Sequence, residues 1–234
     1  GIYSASGSVT IDNSIINNNV APAGNGGGIH NASMLKVSNT WIHDNTTNQN
    51  GAGIYNTATA IITGTVLDAN SAGLDGGNIY SGTAGEGSTL TLTSSELRSG
   101  VTGVGRNGGG IYNQGRLRVA SSSFALNIAT LGSALYSNAL VQPVELRNAT
   151  IISNTLRIGS TGAAINNDGA PISFYNTLIG GNGADASCQG SISSGGHNLD
   201  AGNSCNLNSS GDLVNTDPKL GELPMKKSTP DTSP

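Results

Sequence analysis

The sequence predicts an all-β protein, a right-handed, single-stranded parallel β-helix of about seven coils that ends in a disulfide-pinned cap. Two observations lead to this prediction. A short anchor motif, Gly-Ile-Tyr-Asn in its fullest form, recurs along the chain, and an eleven-residue motif follows each copy. The composition fits a stacked repeat, because 35 of 234 residues are glycine and only 10% are charged, against ~25% in ordinary globular domains. A polar chain with so few charges must satisfy its polar groups by stacking and hydrogen bonding.

The anchor motif places one apolar residue at the centre of each copy, at spacings between 24 and 32 residues. These anchors are Ile2, Ile29, Ile54, Ile79, Ile111, Leu135 and Ile165. Because successive residues of a strand point to opposite faces, inward anchors turn the residues that follow them outward. We call this outward set the outer aromatic column: Tyr3, His30, Tyr55, Tyr80, Tyr112 and Tyr136. Such a column stabilises a sheet by cross-strand pairing; a strip that stacks against sugar rings is the alternative.

The eleven-residue motif is apolar at its first, third and usually its seventh and eighth positions. Its copies span residues 9–19, 35–45, 60–70, 90–100, 117–127, 144–154 and 172–182. Apolar residues at every second position describe a strand with one buried face, and a turn-forming residue at the fifth position divides the motif into two short strands. With the anchor strand, each repeat supplies three strands, which make one coil. Residues 1–182 are therefore predicted to form the β-helix.

The eleventh position of the motif is asparagine in every copy but one. Stacked coils bring these side chains above one another, where amides can hydrogen-bond along the axis and to turn backbone. The predicted asparagine ladder is Asn19, Asn45, Asn70, Asn127, Asn154 and Asn182. Gly100 takes this position in the fourth copy, so one break in the ladder is expected. The repeats differ in length outside the motif, which predicts projecting loops within 81–89, 100–107 and 138–143.

Residues 183–234 depart from the repeat and are predicted to form a cap and a flexible tail. The end of a β-helix is an exposed sheet edge, and terminal repeats usually act as caps. The two cysteines of the chain, Cys188 and Cys205, lie in this segment. A disulfide in an oxidising compartment is the favoured interpretation and two free thiols are the alternative. The bond would close a loop of about 17 residues and contribute ~3 kcal/mol in the entropic model.

Charge and hydropathy argue against several other classes of protein. A net charge of −4 gives no electrostatic footprint for nucleic acid or an anionic membrane. No apolar run approaches the ~18 residues of a membrane span. No signal peptide is visible, and the start at Gly1 is typical of the interior of a longer or processed protein. A globular β-sandwich is the rival fold, but it does not predict a fixed spacing in every repeat.

Some of these motifs resemble known surface proteins. Gly-Gly-Gly-Ile-Tyr-Asn at 108–113, with Phe-Ala-Leu-Asn at 124–127, resembles the GG[A/I] and FxxN repeats of chlamydial polymorphic outer-membrane proteins. The chain is also similar to bacterial right-handed β-helix proteins with a choice-of-anchor type C-terminal region, through Cys188, residues 196–199, Cys205 and residues 217–221. The resemblance covers residues 1–182 and about 185–221, and it implies secretion and display at the bacterial surface. After Gly221 the sequence departs from that pattern.

A carbohydrate-active enzyme is the main functional competitor, because parallel β-helices include polysaccharide lyases and hydrolases. Such sites need paired or clustered carboxylates. The acids on the repeats are Asp12, Asp44, Asp68, Asp75, Glu86, Glu96, Glu145 and Asp168. No coil is expected to stack two of them at one position with a base beside them, so no catalytic residue is assigned.

The histidines do not form a zinc-ligand cluster with other residues. His30 belongs to the outer aromatic column, His43 is expected to face solvent, and His197 is expected to join the hydrogen bonding of the cap. The sequence therefore predicts no metal and no cofactor.

These observations predict a non-catalytic structural or adhesin-type protein, secreted and either extracellular or on the bacterial cell surface. Its expected partners are other copies, through the β-helix ends, and surface glycans or proteins. Neither a nucleic-acid partner nor a membrane span in this chain is expected. The alternative function is a carbohydrate-active β-helix enzyme or a glycan-binding module.

Overall fold

The computed structural model describes residues 1–82, 87–183 and 186–221. Within these ranges the chain is all-β, contains no helix, and winds into a parallel β-solenoid of about seven coils. The predicted fold class is thereby confirmed. Glu86, the centre of the predicted loop over 81–89 and the predicted tail beyond residue 221 lie outside the described residues. The described residues include no helix that is long and apolar enough to cross a membrane.

Short parallel strands stack into columns along the solenoid axis. The anchor column contains Ile2–Ser4, Ile29–Asn31, Ile54–Asn56, Ile79–Ser81, Ile111–Asn113 and Leu135–Ser137. The second column contains Ser8–Asp12, Met34–Ser38, Thr59–Thr63, Thr89–Thr93, Arg116–Ala120 and Val144–Arg147. The long strand Ala163–Tyr175 continues both columns, and Ala186–Ser194 pairs with it, so that together they form one 14-stranded sheet.

The other two columns are separate sheets. The third column contains Ile15–Asn17, Trp41–His43, Val66–Asp68, Glu96–Arg98, Ser123–Ala125, Thr150–Ile152, Leu178–Gly180, Leu199–Asp200 and Leu213–Val214. The fourth contains Val20–Ala21, Thr46–Thr47, Ser71–Ala72, Val101–Thr102, Ile128–Ala129 and Thr155–Leu156. The prediction of three strands per coil was wrong, because a fourth strand follows the closing position of the first six copies of the motif. Two residues are too few to show an alternating pattern in the sequence.

The coils stack in the predicted register. Ile54 pairs with Ile79, and Ile79 pairs with Ile111. Every anchor from Ile29 to Ile165 is fully buried, and the inward apolar residues of the motifs pack against the anchors in one continuous core. Each coil therefore depends on its neighbours to cover its apolar edge, as in other solenoids.

Two left-handed turns explain the fixed length of the eleven-residue motif. The fifth and tenth residues of every copy have φ between 45° and 61°. At the fifth position they are Asn13, Asn39, Gly64, Ser94, Ser121, Asn148 and Asn176. At the tenth they are Asn18, Asp44, Ala69, Ser99, Leu126, Ser153 and Gly181. Asn, Asp and Gly reach this conformation most easily, and an added or lost residue would turn the next strand inside out.

The cap closes the C-terminal end of the core. Cys188 pairs in register with the anchor Ile165 and forms a disulfide with Cys205, as predicted. Both cysteines are buried and belong to the hydrophobic core. The backbone N–H of His197 donates to the Ser210 carbonyl at 3.1 Å, while its side chain is exposed.

Candidate functional site

The asparagine ladder runs inside the solenoid, just before the fourth strand column. Asn45, Asn70, Asn127 and Asn154 are fully buried. The Nδ2 of one rung donates to the Oδ1 of the next, over 3.0 Å from Asn45 to Asn70 and 2.8 Å from Asn127 to Asn154. The same Oδ1 atoms accept the backbone N–H of the preceding rung, and the outermost rungs are joined in the same way. One side-chain amide thus accepts hydrogen bonds from both the side chain and the turn backbone of the preceding rung.

The expected break at Gly100 is absent, because another asparagine fills the gap. Asn78 is fully buried and stands directly before the anchor Ile79, where other coils carry glycine or alanine. Its Oδ1 accepts from Asn70 Nδ2 at 2.8 Å, and its Nδ2 donates to Asn127 Oδ1 at 3.1 Å. A Cβ on Gly100 would lie 2.5 Å from Asn78 Nδ2. The side chain of Asn78 therefore occupies the space that a side chain at position 100 would need.

The sequence analysis missed a second polar row inside the solenoid. It is formed by the last residues of the anchor motifs, which are buried: Ser4, Asn31, Asn56, Ser81, Asn113, Ser137 and Asn167. Asn31 Nδ2 donates to Asn56 Oδ1 at 2.7 Å, and Asn56 Nδ2 donates to Ser81 Oγ at 3.1 Å. The signal for this row was present, since each anchor motif ends in Asn or Ser two residues after an inward anchor.

The outer aromatic column is continuous along the outside of the anchor column. Centroids of consecutive rings lie 4.8 to 5.1 Å apart. From Tyr55 to Tyr136 the rings are close to parallel, at angles between 5° and 21°. Tyr80 and Tyr112 therefore each have a ring stacked on both faces. A sugar needs an exposed ring face, and within the column Tyr3 is the ring with the most exposed surface, at 67%.

Two phenol groups of the column donate hydrogen bonds to the next coil. Tyr80 donates to Gln114 Oε1 at 2.8 Å, and Tyr136 donates to Asp168 Oδ2 at 2.6 Å. Burial raises the pKa of Tyr80, and burial together with the hydrogen bond to Asp168 raises the pKa of Tyr136. These two phenols stay neutral in the physiological range, so the two coil-to-coil hydrogen bonds that they donate do not titrate there.

A row of polar side chains in the turn before the anchor strands flanks this column. Asn50 donates to Asn25 Oδ1 from both its backbone N and its Nδ2, at 3.0 and 3.2 Å. Asp75 donates to Asn50 Oδ1 from its backbone N alone, at 3.1 Å, and its Oδ1 accepts from Asn107 N at 2.8 Å. Burial raises the pKa of Asp75, opposed by the hydrogen bond from Asn107 and the charge of Arg106. Asp75 thus stands where the preceding coils carry asparagine. Its carboxylate has no N–H group that could donate to Asn50 Oδ1 as the Asn50 side chain donates to Asn25 Oδ1.

Replacing Asp75 by asparagine is expected to stabilise the fold at neutral pH by about 1 kcal/mol, the net contribution of one hydrogen bond. Because the folded pKa of Asp75 is raised, the native state binds the proton more tightly than the unfolded chain does. The contribution of Asp75 is therefore present below its unfolded pKa and is lost as pH rises through the folded pKa. The advantage of Asp75→Asn should shrink in acid, which urea titrations of both proteins at neutral and acidic pH will measure. An advantage that does not change with pH would contradict this account.

The outer face of the third column carries the only tryptophan of the chain. Trp41 and His43 stack with their ring centroids 3.8 Å apart, and His43 Nδ1 lies 2.6 Å from Asp44 Oδ2. The expectation that His43 faces solvent was wrong, since only 12% of its side chain is exposed. The indole two residues earlier lies on the same face of the strand and covers it. The Trp41 indole N–H is buried and has no acceptor among the described residues.

Two carboxylates share one arginine on the following coils. Arg98 Nη2 lies 2.8 Å from Asp68 Oδ2, and its Nη1 lies 3.6 Å from Glu96 Oε1. A glycosidase needs two carboxyl groups whose environments differ, one acid and one base or nucleophile. Here the same guanidinium holds both, so the geometry is that of an ion network.

A shallow groove runs beside the third column over four coils and encloses about 550 Å³. Its lining residues are Gly64, Thr65, Val66, Ser94, Ser95, Glu96, Ser121, Ser122, Ser123, Asn148 and Thr150. The groove exists because Gly64, Ser94 and Ser121 are small at the left-handed turn position where Asn39 and Asn148 stand in the flanking coils. The sequence showed these substitutions, but their consequence depends on three coils stacking directly on one another.

No group of three or more His, Cys, Asp or Glu side chains within 1–82, 87–183 and 186–221 is placed to hold a metal ion. The fold and these internal ladders define the chain as a parallel β-solenoid. No family model, no curated protein and no solved structure matches it.

Proposed function

We propose that the protein is a non-catalytic extracellular structural protein of the adhesin type, a rod used for adhesion, spacing or assembly. The observation that carries the proposal is the use of the axial side chains. The ladder amides, the stacked rings from Tyr55 to Tyr136 and the phenol groups of Tyr80 and Tyr136 are engaged by neighbouring coils. The repeated polar and aromatic side chains thus bind neighbouring coils to one another along the solenoid axis. The Cys188–Cys205 disulfide supports an oxidising, extracellular location.

Association through the first coil is part of this proposal. A parallel strand edge at the end of a solenoid is a template for a further coil.

If the column is structural, removing an inner ring should cost stability. Tyr112→Ala is expected to lower the free energy of unfolding by about 2 kcal/mol, because the ring stacks on both sides and is half-buried. Tyr3→Ala is the matched control, with one ring neighbour and an exposed ring, and it should cost less than about 1 kcal/mol. Urea unfolding followed by circular dichroism measures both.

The parent chain should be incubated with a panel of polysaccharides, and the mixtures should be assayed for new reducing ends and unsaturated products. The proposal expects none. Product formation that is lost in Asp68→Asn or Glu96→Gln would overturn the non-catalytic function and identify the shared-arginine pair as an active site.

A glycan-binding module is the second candidate function. The observation that favours it is the polar groove beside the third column together with the outward Trp41.

A further inference from the structure

The groove has the dimensions and chemistry of a site for an extended polar chain. Val66, Glu96, Ser123 and Thr150 form one wall, on four successive coils. Three coil spacings of ~4.8 Å give a length of ~14 Å parallel to the axis. Among the lining hydroxyl groups, those of Thr65, Ser95 and Ser122 are buried and donate to backbone carbonyls of their own coils. The hydroxyl groups of Ser94, Ser121, Ser123 and Thr150 are left to donate and accept hydrogen bonds.

Trp41 extends this wall by one coil. It pairs in register with Val66, which lines the groove, and its ring is held by stacking on His43.

The charges near the groove select against anionic ligands. Glu96 lines it with its side chain 38% exposed, and Asp68 and Asp44 lie on neighbouring coils. Arg98 is already held by Asp68 and Glu96. The local balance is negative, so a carboxylated or sulfated polymer would be repelled.

We propose that the groove and Trp41 together bind a neutral oligosaccharide that lies parallel to the solenoid axis. The indole would pack against the apolar face of one sugar, and the serine and threonine hydroxyls would bond to the sugars that follow. This inference rests on the second candidate function and assigns its ligand class and its site. It moves the sugar contact away from the outer aromatic column, whose rings from Tyr55 to Tyr136 are stacked on one another.

The test titrates the intact chain with neutral hexasaccharides, cellohexaose and chitohexaose among them, and with polygalacturonate as the anionic comparison. Trp41 reports binding directly, because it is the only tryptophan, and calorimetry gives the affinity. The groove variant is Ser94→Asn with Ser121→Asn, which installs the residue found at this turn position in flanking coils. Asparagine suits the left-handed turn, so the fold should be kept.

The matched control is Ser99→Asn with Ser153→Asn, the same change at left-handed turns outside the groove. We expect a neutral hexasaccharide to shift Trp41 emission, and the groove variant to lose at least roughly tenfold in affinity, or about 1.4 kcal/mol, while the control keeps it. Absence of binding by every neutral sugar, equal loss in both variants or equal binding of polygalacturonate would each overturn the proposal. Melting temperatures and electron micrographs of the same samples test the rod separately, so a stable rod that binds no sugar leaves the structural function intact.

Discussion

Replacing Asn127 by alanine is expected to lower the free energy of unfolding by about 3 to 5 kcal/mol. The side chain is fully buried and takes part in four hydrogen bonds between coils. Its Oδ1 accepts from Asn78 Nδ2 and Gly100 N, and its Nδ2 donates to the Leu97 carbonyl and to Asn154 Oδ1. Alanine leaves these partners buried without a bond, at about 1 to 3 kcal/mol for each unsatisfied group, partly relieved by relaxation.

Asn17→Ala is the control for this prediction. Asn17 lies on the outer face of the third column and is exposed, so its loss should change stability by no more than about 0.5 kcal/mol. Denaturant titrations give the free energies of unfolding of the two variants and the parent chain. They show whether the hydrogen bonds of the ladder stabilise the stacked coils or whether the side chains only fill space. A cost for Asn127→Ala as small as that of Asn17→Ala would rule out the ladder as a principal source of stability.

Loss of the disulfide is the second large effect. Cys188→Ala with Cys205→Ala should destabilise the protein by about 3 kcal/mol, because the bond closes a loop across a sequence separation of 17. The two side chains also belong to the core beneath the cap. We expect unfolding to begin at the C-terminal end, since the stability of a solenoid is a sum over neighbouring coils. Hydrogen exchange should become fast in Ala186–Ser194 while Ile54–Asn56 stays protected.

Reduction of the parent chain by dithiothreitol is the chemical control, and it should reproduce the pattern of the double variant. If the reduced and oxidised chains exchange alike in the cap, the hydrogen bonds of the cap are sufficient without the bond. Asp212 would then be the leading contributor, because it accepts from Ser194 Oγ, from Ser209 N and from both nitrogens of Asn198.

Several features of the candidate site depended on contacts that no pattern along the chain records. Asn78 looked like an irregular anchor, and its role appeared only when the coil bearing Gly100 lay beside it. His43 looked solvent-facing because alternation gives the face of a side chain but not what covers it. Asp75 belongs to an amide row whose members lie 25 to 32 residues apart in the chain.

The sequence by itself determined the axis, the register and the inward face of this protein. A strand has a period of two, and the left-handed turns recur at fixed positions, so the local pattern alone places Ile54 on Ile79. Tertiary structure decided which polar side chains meet between coils, where the groove opens and that a fourth strand forms. Those outcomes depend on the sizes of residues on three or four stacked coils at once, and the chain between them varies in length.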